Sequence, residues 1–254
     1  MTDIKKRIVP VFTYKSNVLV KSINYENYRN VNSILPVIKL FNKRNIDEMI
    51  FLNLDNNINL NLLENFVNEI DYPITYGGGV TDINIMRQIY NIGFDKICLN
   101  SILYKDNDFS RKACEIFGKQ SIIGSIDVKK DINNNKYTCY YNNGKINSNL
   151  DIHQHIENII ENDNIAEILI TNIENEGTFN GFDYKLYDNL KDYNIRILPN
   201  GGGTYNENNI VDTIKINNVY GLCFSSLFFF KQYTPNDVKK ILYNNNINCV
   251  NYLI

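Results

Sequence analysis

The sequence predicts an α/β fold: one (β/α)8 TIM barrel, built from two half-barrel repeats and covering residues 1–254 as a single domain. Three observations predict it. Eight short runs rich in β-branched and aromatic residues alternate with longer amphipathic stretches. The length of 254 residues matches the roughly 250 typical of such a barrel. The two halves of the chain also repeat one another at the ends of their strands.

The strands run in order as RIVPVFT (7–13), DEMIFLN (47–53), YPITY (72–76), DKICLN (95–100), SIIGSID (121–127), AEILITN (166–172), IRILPN (195–200) and VYGLCFS (219–225). Helical patterns separate them, among them INLNLLENFVNEI (58–70) and TPNDVKKILYNNN (234–246). The second opens with Thr234 as an N-cap and Pro235 at the first helical position.

Composition narrows the function classes. Hydrophobic residues make up 44%, enough for a sizeable core, and a net charge of −2 gives no footprint for nucleic acid. No apolar run reaches the roughly 18 residues needed to span a membrane. The opening MTDIKKRIVPVF lacks a signal-type apolar stretch. Five scattered cysteines form neither a disulfide framework nor a zinc motif, which fits a reducing cytoplasm, and no cofactor or metal is expected. His153 and His155, in DIHQHIEN, fit the solvated first turn of a helix better than a metal site. The abundance of asparagine reads as compositional bias.

The internal repeat locates candidate chemistry. Val-Phe-Thr-Tyr-Lys at 11–15 parallels Ser-Ile-Asp-Val-Lys at 125–129, and Phe-Leu-Asn-Leu-Asp at 51–55 parallels Ile-Thr-Asn-Ile-Glu at 170–174. Glycines 77–79 parallel 201–203, and Leu-Asn-Ser at 99–101 parallels Phe-Ser-Ser at 224–226. The repeat implies two facing sites at the C-terminal ends of the strands. Glycine lets backbone N–H groups approach an anion, and phosphate sites after the seventh and eighth strands are frequent in this fold. Gly201, Gly202, Gly203, Ser225 and Ser226 form one candidate phosphate grip, with Gly177 and Thr178 closing over it. Gly78, Gly79, Asn100 and Ser101 form the opposite one. Tight turns alone would also produce such triplets. Two facing grips suggest a ligand with a phosphate at each end.

Asp127 ends the fifth strand and is the candidate general acid/base, with a structural carboxylate as the alternative. Its counterpart in the first half is Thr13, which cannot accept a proton near neutral pH. Lys21 and Lys129 would contact phosphate or stand in solvent. Arg7, Glu48, Lys96 and Glu167 each begin a strand at the opposite end of the barrel. Stability is the default reading there. Pointing to the axis, they would form a ring of alternating sign, a plug or gate.

KRIVPV, DEMIFLNLD, ITYGGGVTD, DKICLNS, IDVKK, EILITNIENEGT, FDYKL and NGGG stand in the order and spacing of one family. From about residue 5 to 247 the chain resembles the cyclase subunit of imidazole glycerol phosphate synthase, the HisF family. The resemblance implies a heterodimer whose glutaminase partner (HisH-like) docks at the barrel bottom. Ammonia would pass up the barrel to a two-phosphate ribonucleotide, giving imidazole glycerol phosphate and a purine precursor in histidine biosynthesis. It makes Arg7, Glu48, Lys96 and Glu167 an ammonia gate and places Asp95 at the partner interface.

Departures from the family pattern fall at the top. The family pairs two catalytic aspartates; Asp127 matches one, and Thr13 stands in place of the other. The strand-2 aspartate is Asn53, and an Asp-Arg-Asp-Gly-Thr loop reads Glu174-Asn175-Glu176-Gly177-Thr178, leaving Asn53, Glu176 and Lys21 as further ligand contacts. Loss of one carboxylate from a proton-transfer pair typically removes about 10²–10⁴ of rate. The segment VPVFTYKSNVLVKSINYENYRNV resembles a divergent branch associated with amidation of nucleotide-activated surface sugars, where ammonia goes to a separate ATP-dependent sugar amidotransferase. Three readings fit this pattern: an ammonia-conducting subunit diverged toward sugar amidation, a working cyclase, and a non-catalytic scaffold that activates a glutaminase.

Overall fold

The computed structural model describes residues 4–55, 57–106, 108–131, 135–163 and 165–250, the side chains of 162 and 163 excepted. Its strands are β1 (Arg7–Lys15), β2 (Val18–Ile23), β3 (Glu26–Ser33), β4 (Met49–Asn53), β5 (Ile74–Gly77) and β6 (Lys96–Leu99), followed by β7 (Ile122–Lys130), β8 (Tyr137–Tyr141), β9 (Ile146–Asp151), β10 (Glu167–Asn172), β11 (Arg196–Asn200) and β12 (Gly221–Phe224). Eight of them are the expected barrel strands, each within about two residues of its expected start. They pair in parallel in the order β1, β4, β5, β6, β7, β10, β11. β12 then pairs with β1, Arg7 opposite Gly221, and the Ile197–Val219 bridge joins the β11 and β12 segments, closing the barrel.

Closure sorts the side chains by the two-residue period of a strand. Val9, Val11, Ile50, Cys98, Ile123, Leu169, Leu198 and Cys223 pack inside as one apolar column. The alternate residues, such as Ile8, Phe12, Phe51, Ile97, Ile168 and Ile197, face outward into a second shell of core. Against that shell lie α1 (Ile34–Asn42), α2 (Leu60–Val67), α3 (Ile83–Ile92), α4 (Phe109–Phe117), α5 (Ile152–Asn158), α6 (Tyr184–Asp188), α7 (Glu207–Ile214), the short α8 (Ser226–Phe230) and α9 (Pro235–Asn244). The expected 58–70 and 234–246 helices are α2 and α9. Thr234 caps α9 reciprocally with Asp237, Pro235 standing at the first position.

Two hairpins lie outside the expected alternation. β2 and β3 extend β1 antiparallel, and β8 and β9 extend β7 in the same way. They occupy equivalent places in the two halves, folding back over the C-terminal ends of the strands. Their turns are built by asparagine. Ser16-Asn17 and Asn24-Tyr25 have both residues at positive φ, between 49° and 62°, the backbone of a tight two-residue hairpin turn, and Asn142, Asn143 and Gly144 are likewise at positive φ in the four-residue connection between β8 and β9. Nine of the twelve non-glycine residues with positive φ among those described are asparagine. Asparagine tolerates that region better than most residues. Its abundance is therefore partly structural, which corrects the reading of it as bias alone.

The histidines begin α5 as expected, but one is not solvated. His155 is only 2% exposed and stacks on Tyr104, ring centroids 4.3 Å apart. Burial lowers its pKa to about 4.

At the barrel bottom a buried ion pair ties α9 to the segment before β4. Lys239 Nζ lies 2.5 Å from Asp47 Oδ1, with side chains 0% and 2% exposed. Asp47 also accepts from the Ile8 N–H at 2.8 Å. Burial pushes the Asp47 carboxyl up, while Lys239 and the Ile8 N–H pull the other way. Removing one partner of such a pair leaves an uncompensated charge, at a cost of about 3–5 kcal/mol. Lys239→Met is expected to lose about that much in urea unfolding at pH 7, and progressively less as pH falls and the raised Asp47 carboxyl takes up a proton.

Candidate functional site

The bottom of the barrel is closed by charge. Arg7, Lys96 and Glu167 are the first residues of β1, β6 and β10, and Glu48 immediately precedes β4. In a parallel barrel these starts share one end, so the four side chains meet. Arg7 Nη1 lies 2.5 Å from Glu48 Oε2, and Arg7 Nη2 donates to Glu167 Oε1. Lys96 Nζ lies 3.1 Å from Glu48 Oε1 and 3.2 Å from Glu167 Oε2. Thr75 Oγ1 donates to Glu48 at 3.0 Å. The result is a complete ring of alternating sign beneath the apolar column. Burial works against the Arg7 charge, but Glu167 and Glu48 outweigh it and hold the guanidinium above its ordinary range. Burial likewise works against the Glu167 carboxylate, and Arg7 and Lys96 prevail, holding it below its ordinary range. Asp95, beside the ring, is exposed, and its carboxylate accepts from the Ile74 N–H at 2.8 Å.

At the other end the two halves keep one backbone plan. Gly78 (φ 109°) and Gly201 (φ 84°) turn tightly against the carbonyls of Asn53 and Asn172, where an added Cβ would come within 2.1 and 2.5 Å of oxygen. Asn100 (φ −121°, ψ −84°) and Ser225 (φ −130°, ψ −90°) share a conformation, each leading into a helical turn. Asn100 Nδ2 donates to Ser125 O at 3.0 Å, and Ser225 Oγ donates to Val11 O at 2.7 Å. The sequence repeat pairs those positions. The glycines thus serve the tight turn and, in the same stroke, leave the corner open to a close approach.

Two cavities lie above these corners. The first, about 200 Å³, brings together Gly78, Gly79, Asn100, Ser101, Thr13 and Asp127. Asn53 also lines it, held by Tyr76 Oη at 3.1 Å and by the Asp55 N–H at 2.9 Å. The second, about 30 Å³, brings together Gly177, Gly201, Gly202, Gly203, Ser225 and Ser226, with Glu176. Thr178 stands apart from both linings, its hydroxyl donating to Asn175 O at 2.8 Å.

Asp127 is 6% exposed and sits between the halves. Tyr25 Oη donates to its Oδ1 at 2.9 Å, and Asn100 Nδ2 to its Oδ2 at 3.3 Å. Burial raises its pKa to about 6, against the hydrogen bonds from Tyr25 and Thr171. Lys21 is not solvated. It lies on β2 at 2% exposure, donating to Val11 O at 3.2 Å and to Ser225 Oγ, over the Phe229 ring at 4.6 Å. Burial drives its pKa down to about 7, with Glu176 pulling upward. Lys129 lies over the Tyr140 ring at 4.8 Å.

Both hairpin tips come down on this region. Asn142 N–H donates to Ser101 Oγ at 3.2 Å and Asn143 Nδ2 to Leu54 O at 3.3 Å, above the first cavity. Tyr25 N–H and Ser22 Oγ donate to Glu176 Oε2 at 3.2 and 3.0 Å, above the second. Tyr25 lines both cavities and divides them. Tyr25, Lys105, Asn142 and Asn143 escaped the sequence reading. The signal for three of them was the paired turn residues Asn24-Tyr25 and Asn142-Asn143.

Residues 7–234 match a family model described as histidine biosynthesis protein. The chain belongs to the HisF family. It is 31% identical over 242 residues to the HisF subunit of imidazole glycerol phosphate synthase from Staphylococcus saprophyticus, covering 93% of this chain and 95% of that one. A HisF subunit from Clostridium botulinum is 30% identical over 248 residues, 95% and 97% of the two chains. A Campylobacter jejuni protein provisionally named subunit hisF2 of the same synthase is 32% identical over 244 residues, 94% and 96% of the two chains. This HisF-family barrel has no helix among its described residues long and apolar enough to cross a membrane.

The raised pKa of Asp127 gives a stability signature. Its folded value, about 6, lies above the ordinary 3.8, so ionisation disfavours the fold as pH climbs between the two. A rise of that size corresponds to about 3 kcal/mol. Asp127→Asn is expected to become more stable relative to the parent by about 2–3 kcal/mol between pH 4 and pH 7, read from urea unfolding at each pH. A pH-independent difference would contradict the buried ionised carboxylate.

Proposed function

We propose that this barrel is the ammonia-accepting subunit of a glutamine-dependent complex, with a HisH-like glutaminase at its bottom and a phosphorylated ligand at its top. The observation that carries the reading is an asymmetry of retention. The four-charge ring at the bottom is complete, while the proton-transfer pair at the top is reduced to Asp127 facing Thr13. Efficient ring closure needs two groups that exchange protons. Here the neighbour that bonds Asp127 is Tyr25, a phenol held well above its ordinary range by burial and by Asp127 itself. The ammonia therefore serves another acceptor, a nucleotide-activated surface sugar handled by an ATP-dependent amidotransferase in the cytoplasm. The likeness of residues 9–31 to that divergent branch supports this destination.

The second reading, a cyclase forming imidazole glycerol phosphate in histidine biosynthesis, is favoured by one observation. A carboxyl group with a pKa about 6 is poised for general acid/base work near neutral pH. A purified-protein assay with ammonium salt and the two-phosphate ribonucleotide separates the two. Turnover is expected to fall about 10²–10⁴ below that of HisF enzymes with both carboxylates, and family-normal turnover would establish the cyclase instead. Lys96→Ala, assayed with the glutaminase partner, is expected to lower transfer relative to glutamine consumed. An unchanged ratio would leave the ring a structural element only.

A further inference from the structure

A groove of about 720 Å³ lies on the flank of the barrel, larger than either strand-end cavity. Its walls are the turn Ser101–Tyr104 after β6, the start of α4, the β8–β9 hairpin and α5. It shares no lining residue with the two top cavities, but it stands back to back with the first. The turn after β6 gives Ser101 and Ile102 to that cavity and Leu103 and Tyr104 to the groove. The hairpin gives Asn142 and Asn143 to the cavity and Tyr141 to the groove. The volume falls within the roughly 300–1,000 Å³ of small-molecule sites. We propose that this groove is a second ligand site, which binds a short neutral saccharide. It stands apart from whatever the top cavities hold, so either site can fail without the other.

The first argument is the aromatic wall. Tyr104 is stacked between Tyr141, with centroids 5.0 Å apart and planes at 19°, and His155, at 4.3 Å and 20°. Both faces of Tyr104 are thus taken, and Tyr141 ends the column, half-buried at the close of β8. The face of an aromatic ring carries negative charge. The polarised C–H groups on one side of a pyranose ring match such a face, and its hydroxyls then point outward to polar neighbours.

The second argument is an unpaired nitrogen. Of the two histidines, His153 meets the Tyr193 hydroxyl at 3.1 Å. His155 lines the groove at 2% exposure, and its Nε2 has no hydrogen-bond partner. Buried polar atoms are normally paired, and an exception calls for a missing partner. The imidazole is neutral, because burial lowers its pKa to about 4. A hydroxyl both donates and accepts, so it satisfies either tautomer, directly or through one water.

Charge selects a neutral ligand. Asp108 and Arg111 pair with each other at 2.6 Å, and Glu161 adds a further negative charge to the lining. A phosphate or an acidic sugar would meet that charge without a spare cation. Asn149 on β9 and Asn158 on α5 bring amides that donate and accept, as a polyhydroxyl ligand requires.

The chain has only two histidines, so imidazole nitrogen NMR of the full chain reads this site with an internal control. Maltotriose and triacetylchitotriose are the probes, with adenosine and inorganic phosphate as contrasts. At least one trisaccharide is expected to shift the His155 nitrogens saturably while those of His153 stay in place. In calorimetric titration with that trisaccharide, Tyr141→Ala should weaken binding about tenfold through loss of the ring face. His155→Phe keeps a ring against Tyr104 and should weaken it about fivefold, the worth of one neutral hydrogen bond. Thermal melting checks that both variants fold, and His155→Phe should melt no lower than the parent, since it removes an unpaired buried nitrogen. No shift with either trisaccharide, an equal shift at both histidines, or full affinity in folded His155→Phe would overturn the site. A response to adenosine or phosphate alone would overturn the saccharide and give the groove to that ligand instead.

Discussion

Closing eight strands into a barrel forces every second side chain toward an axis that water does not reach. The two mouths and the column between them are responses to that constraint. Apolar residues accept it and form the central column. Charged residues at the rim accept it only in combination, because a lone buried charge is costly. Arg7, Glu48, Lys96 and Glu167 each bond to two others of opposite sign, so the bottom of the axis carries four charges with no net sum. Asp127, at the other end, has hydrogen-bond donors but no cation, and its pKa rises to about 6. The same constraint produces a stable plug at one mouth and a poised acid at the other.

The repeat separates what backbone does from what side chains do. Gly78 with Asn53 repeats as Gly201 with Asn172, and the donation of Asn100 to Ser125 O repeats as that of Ser225 to Val11 O. These are requirements of a strand turning into a helix, and both halves meet them alike. The residues that could do chemistry have drifted apart. Thr13 faces Asp127, and the hairpin tip that carries Tyr25 in one half carries Asn143 in the other. Fold and function are written at different positions of the same motif, so the barrel can lose a carboxylate without losing its shape.

Legibility in the sequence divides along the same line. The eight strands, the repeat and the ring were readable because buried parallel strands leave continuous apolar runs and because charges at strand starts stand out against them. The two hairpins were not. ENYRNVNS of β3 is mostly exposed and lacks a repeating apolar face, so the two-residue period that marks a half-buried strand is missing. The asparagine pairs at the turns were the surviving signal, obscured by asparagine elsewhere. The burial of Tyr25 and of Lys21 was hidden for a related reason. Their burial depends on the hairpin folding back, which is a tertiary fact, and a lysine in a polar stretch otherwise reads as solvated.

The strength of the ring is not uniform, and that bears on the role proposed for it. Arg7 engages both glutamates with a planar fork whose geometry matches carboxylates. Lys96 reaches the same two groups at 3.1–3.2 Å with a compact ammonium on a flexible four-carbon stem. Withdrawing Lys96 would leave both glutamates still bonded to Arg7, whereas withdrawing Arg7 would leave them facing one another across a single lysine. The ring therefore opens at lower cost on the β6 side. What could then enter is set by the column above. Val9, Val11, Ile50, Leu169 and Leu198 offer no partner to an ion, and an ammonium would face the desolvation penalty of a buried charge. A neutral ammonia molecule faces far less. A yielding cation beneath an apolar column thus selects for the uncharged form by physics alone, whatever acceptor waits at the top.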